Sequence, residues 1–180
     1  MKPTQKNNTM IYRFRIIFDS KKDDIFRDIE IESSATFEEF HNTITQAFGF
    51  GGSEMASFYL SDDEWNQGEE ISLFDLSDGA GDIQLMSQTT ISEVISESRT
   101  KLIYIYDFLS MWTFMVELGE IVDEAQGTDY PNLLFVHGQV PSEAPEKVFE
   151  TEGSEDLFED SEDGYGVDDY DHLDFDENWN

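Results

Sequence analysis

The residue types able to do chemistry are sparse in this chain. It has three histidines, His41, His137 and His172, and no cysteine. No two histidines have the spacing of a zinc site. His41 stands between Phe40 and Ile44 in ATFEEFHNTITQAFGF. A histidine base needs a substrate proton within reach and a pKa near working pH. No partnered nucleophile accompanies His41, so its expected role is a hydrogen bond from a helix flank to a neighbouring strand or a glutamate. Asp107 closes the apolar run KLIYIY and precedes Phe108, with Trp112 shortly after. An aspartate at a strand end can line a pocket or hold a cation. The same residue type also caps turns by accepting backbone N–H bonds, and that is the expected role. His41, Tyr106, Asp107, Phe108 and Trp112 are the candidate ligand- or partner-binding residues. No catalytic residue, metal set or cofactor is assigned. Gly49-Phe50-Gly51-Gly52 lacks the Lys-Ser/Thr of a phosphate loop and ends a helix instead of starting one.

A second group of candidates lies near the C-terminus. Asp160, Asp163, Asp168, Asp169 and Asp171 belong to a run of carboxylates opposed only by Lys147. With Gly164 at the sixth position of a calcium loop, Glu159, Ser161 and Asp163 take positions one, three and five. Tyr170 then falls where a carboxylate is required, which rules out an EF-hand. Phe158, Tyr165, Tyr170, Phe175 and Trp179 alternate with the acids. Such a segment can dock on a basic, apolar partner, although charge runs are more often simply solvated.

Composition narrows the partners. The 180 residues include 10 basic and 41 acidic side chains, for a formal charge of -31. Such a charge repels nucleic-acid backbones and anionic membranes. A basic protein is the compatible partner. The opening MKPTQKNNTM does not read as a signal peptide, and no apolar run is long enough to span a bilayer, so cytoplasm is the expected compartment. Aromatics make up 14% of the chain, so part of it must bury a core.

The elements that must position these residues follow from periodicity. Tyr12, Phe14 and Ile16 alternate with Arg13 and Arg15, as on a half-buried strand. A polar turn leads to IFRDIEIE, where Ile25, Arg27, Ile29 and Ile31 share a face, completing a hairpin. Thr36 and Glu39 form a capping box for a helix with Phe37, Phe40, Ile44, Ala47 and Phe48 along one stripe. A strand centred on Phe58 and Leu60 follows, then a loop-rich stretch over 63–88. Thr90 and Glu93 open a short helix through ISEVISE. Strands are expected over 101–108, 113–122 and 132–137. The predicted fold is α+β, with a mixed or mainly antiparallel sheet and a helix across one face, as in a β-grasp. The predicted organisation is an arm over 1–9, a domain over 10–140 and an acidic, aromatic-rich extension over 141–180.

Read together, IYRFRIIF, IFRDIEI, ATFEEFHNTITQAFGF, LIYIYDF and Trp112 running into MVELGEI resemble the plasmid pRiA4b ORF-3-like family. The resemblance covers about residues 10–122 and the ending LDFDENWN. It implies an α+β fold and no particular reaction. Phe26 stands where the family usually has Trp, Asp28 where it has Arg, and Phe50 where its Phe-Gly-Trp ends. Leu109-Ser110 replaces a Gly-Asp pair, and Phe114 stands where a His often follows. His41, Asp107, Phe108 and Trp112 are retained. About half of any polar site is therefore missing, and the expected function is non-enzymatic. A macromolecular interaction module using the sheet face or the acidic extension ranks first. A small-ligand or enzymatic pocket near Tyr106, Asp107 and Trp112 is the alternative, and a nucleic-acid mimic is a third.

Overall fold

The computed structural model describes residues 9–79 and 81–145. They belong to the first of two units, which divide after Pro145. The acidic candidates Asp160, Asp163, Asp168, Asp169 and Asp171 lie outside the described residues.

Strands β1 (Met10–Phe18) and β2 (Phe26–Glu32) pair antiparallel, with Phe14 opposite Ile29 and Ile16 opposite Arg27. Helix α1 spans Phe37–Phe48. The Thr36 hydroxyl accepts from the Glu39 N–H at 3.2 Å, and the Glu39 carboxylate accepts from the Thr36 N–H at 2.7 Å. Two of the helix's orphan donors are satisfied in this way. At the other end Gly49 takes φ 78, a left-handed conformation that glycine adopts without a Cβ penalty.

The rest of the described residues contribute β3 (Ala56–Ser61), β4 (Gln67–Ser72), β5 (Gln84–Leu85), a one-turn helix α2 (Ile91–Val94), β6 (Lys101–Tyr106), β7 (Trp112–Asp123) and β8 (Asn132–His137). They form one eight-stranded sheet in the order β5-β4-β3-β6-β7-β1-β2-β8. Only β4 and β5 run parallel. The fold is thus α+β with a mixed, mainly antiparallel sheet.

Three elements differ from expectation. The loop-rich stretch contains β4 and β5. The sequence QGEEIS lacks an apolar alternation because only Ile71 and Ser72 are buried, and β3 supplies the pairing. Gly68 belongs where a Cβ would come within 2.9 Å of the Leu60 carbonyl oxygen, beside a register shift in β3. Helix α2 stops at Val94, with Ile95 already extended and buried.

Phe37, Phe40, Ile44 and Phe48 pack against one face of the sheet. The Phe40 ring lies 4.6 Å from Phe14 and 5.4 Å from Phe58, and Phe48 lies 4.6 Å from Phe114. Each buried phenylalanine contributes about 1.5–3 kcal/mol of transfer free energy. His41 and Thr45 share this buried stripe, because positions three and four apart on a helix face the same way.

Candidate functional site

Strand β6 ends at Tyr106 and β7 begins at Trp112, and the two residues are opposite one another in register. Between them the chain makes a tight turn. The Asp107 N–H donates to the Met55 carbonyl at 2.8 Å, and the Met111 N–H donates to the Asp107 carbonyl at 2.6 Å. Asp107 and Met111 both have φ 57. Aspartate tolerates this left-handed conformation because its short side chain bonds locally. Here the Asp107 carboxylate accepts from the Leu109 N–H at 3.1 Å. The turn holds Phe108 and Leu109 outward, 36% and 96% exposed.

Tyr106 and Trp112 point the other way, into the core. Phe50 stacks on Tyr106 at 4.9 Å and meets Trp112 at 5.0 Å, and Trp112 also touches Phe18 at 5.5 Å. The Tyr106 hydroxyl accepts from the Gly52 N–H at 3.0 Å, tying the loop after α1 to the sheet. His41 approaches from α1. Its Nδ1 lies 2.7 Å from the Tyr104 hydroxyl, and its ring lies 6.4 Å from Tyr106. Burial pulls the His41 pKa down to about 4 and pushes the Tyr104 phenol well above its ordinary value. At neutral pH the pair is an uncharged hydrogen bond inside aromatic packing.

The five candidates therefore divide. His41, Tyr106 and Trp112 converge within the core, Asp107 organises the turn, and Phe108 faces solvent. Among the described residues no group of three or more His, Asp or Glu side chains could hold a metal ion.

Arg27 is buried on the apolar face of β2, as its spacing predicted. Its guanidinium donates to the carbonyls of Phe26, Ala47, His137 and Gly138 at 2.9–3.1 Å and lies over the Phe48 ring at 4.9 Å. Ala47 belongs to the last turn of α1, where exposed carbonyls carry the negative end of the helix dipole. Burial lowers the Arg27 pKa. Four carbonyl dipoles take the place of a carboxylate partner.

The face of the sheet opposite α1 carries a feature that the candidate residues do not include. Cross-strand register aligns Tyr59, Ile103, Met115, Ile17, Phe26 and His137 in one row across β3, β6, β7, β1, β2 and β8. The first five are partly exposed, and none belongs to the core cluster. The adjacent row reads Ser61, Lys101, Glu117, Arg15, Asp28 and Phe135. Arg15 grips Asp28 through two bonds of 2.8 and 2.9 Å and lies over the Phe26 ring at 4.2 Å. Lys101 reaches Glu117 at 3.9 Å. The signal was present in the sequence. Ile16-Ile17 and the unbroken apolar run LIYIY place apolar side chains on both faces of β1 and β6.

The plasmid pRiA4b ORF-3-like protein family matches residues 10–179. The crystal structure of a protein of unknown function from Methanosarcina mazei Go1 is similar, with a TM-score of 0.65 and 19% identity. The match covers 77% of this chain and 76% of that one. At this identity the likeness is one of fold. No curated protein matches the chain.

Proposed function

From the premise that this chain belongs to the plasmid pRiA4b ORF-3-like family, we propose that it is a non-enzymatic interaction module whose sheet face docks another macromolecule. The observation that carries this reading is the apolar row from Tyr59 to Phe26, with a row of alternating charges beside it. A face that is merely solvated favours polar side chains at alternate positions. Contiguous exposed apolar surface with a polar rim is characteristic of docking sites. The hairpin, helix and sheet, β-grasp-like in their order, serve as a rigid platform for that face. The charge of -31 selects a partner with basic groups around an apolar centre. Cytoplasm is the compartment proposed with this role. The pocket alternative has less support, because Tyr106 and Trp112 are spent on packing with Phe50 and His41 is bonded to Tyr104.

The test is affinity capture from a lysate of the source cells, with mass spectrometry. The baits are the full chain, Ile103→Lys, Met115→Lys and a truncation after Pro145. The expected outcome is a specific partner lost with either lysine variant while circular dichroism shows both folded. Loss on truncation alone would place the docking element in the acidic extension and end the sheet-face reading.

A further inference from the structure

The two edges of the sheet are unlike. At one edge β5 has only the two residues Gln84–Leu85, a short edge of the kind that discourages strand addition. At the other edge β8 runs for six residues and, among the described residues, pairs only with β2. Its Leu133, Leu134, Phe135 and Val136 are 45%, 46%, 51% and 52% exposed. Edge strands are ordinarily protected by lysines, prolines or covering elements. Within β8 there is no charged residue and no proline, and residues 130–142 contain no Asp, Glu, Lys or Arg. One bulge, at the register shift between Asp28 and Ile29, is the only such device on this strand.

The edge is also held in place. Arg27 donates to the carbonyls of His137 and Gly138, and Phe26 stacks with Phe135 at 5.8 Å and with His137 at 5.0 Å. A strand anchored at this end presents its outward backbone edge at a low ordering cost.

We infer that β8 is a homodimerisation edge, pairing antiparallel with β8 of a second copy about a twofold axis. This interface does not depend on the sheet-face reading. Charge chooses the occupant. A basic partner recognising this chain would seek carboxylates, and β8 offers none. Two copies each carrying -31 approach most easily where the contacting strands bring no carboxylate of their own, and residues 130–142 carry none. Antiparallel self-pairing is isologous, so the same apolar side chains meet above and below the joined strands. A six-residue strand covers less than the roughly 800 Å² per partner of a standard interface, which sets an expected Kd of about 1–100 µM. Repulsion between the two acidic bodies makes added salt strengthen the dimer, whereas salt weakens binding to a basic partner.

Sedimentation velocity on the full chain tests this, across a dilution series at low and moderate salt. The expected result is a dimer that tightens with salt. A double variant, Leu134→Lys with Val136→Lys, should weaken it about tenfold or more, while Met115→Lys leaves it intact. Hydrogen exchange on the unaltered chain, above and below the dissociation constant, gives a second reading if the double variant does not fold. Amides of β8 should gain protection only in the dimer. A chain that stays monomeric at about 1 mM, well above that range, would overturn the proposal. So would a dimer lost with Met115→Lys but kept by the β8 variant, which would place the contact on the sheet face. Binding of a heterologous partner by monomers leaves the sheet-face proposal standing while this one falls.

Discussion

At the scale of single residues, three side chains that look reactive are occupied with structure. Asp107 has the left-handed backbone and the local carboxylate bond that its turn requires. Arg27 is a cation solvated by backbone carbonyls. His41 is kept neutral by burial, with a pKa lowered from 6.5 to about 4. Its native state refuses a proton that the unfolded chain accepts. Stability from this group is therefore intact above about pH 6.5 and lost as the pH falls toward 4. The loss amounts to about 3 kcal/mol, or roughly 10 °C in melting temperature for a chain of this size. Thermal melts of the unaltered chain should show this decline. His41→Asn keeps a hydrogen-bonding group near the Nδ1 position and removes the titration, so its melting temperature should be flatter across that window. An equal slope in both proteins would show that another group sets the acid sensitivity.

At the scale of elements, α1, β2 and β8 meet at Arg27. Its guanidinium ties the last turn of the helix to the edge strand, through Ala47 on one side and His137 and Gly138 on the other. Arg27→Met fills similar volume but removes the guanidinium's bonds to those carbonyls. The expected cost is about 1.5–3 kcal/mol, because bonds from a charged donor to part-buried carbonyls are lost. The loss should be local before it is global. Hydrogen exchange should accelerate in β8 and in the last turn of α1 before it does in β6 and β7 at the sheet's centre. Uniform acceleration across the sheet would mean that Arg27 does not specifically hold the edge. The start of α1 is held separately. Its capping box lies beside that of α2, and the Phe37 N–H donates to the Thr89 carbonyl while the Ile91 N–H donates to the Ala35 carbonyl.

At the scale of the whole molecule, charge dominates. A formal charge of -31 on 180 residues opposes compaction through self-repulsion. Raising ionic strength from about 10 mM to about 150 mM shortens the screening length from about 30 to about 8 Å, so the melting temperature should rise with salt. A flat response would mean that the carboxylates are neutralised by bound cations. The sequence by itself determined the hairpin, the capped helix and the strong strands. Their evidence is local: alternation around Arg13 and Arg15, the Thr36–Glu39 box, and the apolar runs of β6 and β7. The family, too, was legible from motifs along the chain. Strand β4 was not legible, since QGEEIS is extended only because β3 offers it a partner. Of the site residues, His41, Tyr106, Asp107, Phe108 and Trp112 were legible as candidates, but which of them face the core and which face solvent was not. Whether a side chain on a strand or turn faces core or solvent depends on which strands become neighbours. Register alone gathered Tyr59, Ile103, Met115, Ile17 and Phe26 into one row from five separate strands. It also left β8 at an edge. Composition and local periodicity decide what each segment can become, and only long-range pairing decides which surfaces remain for a partner.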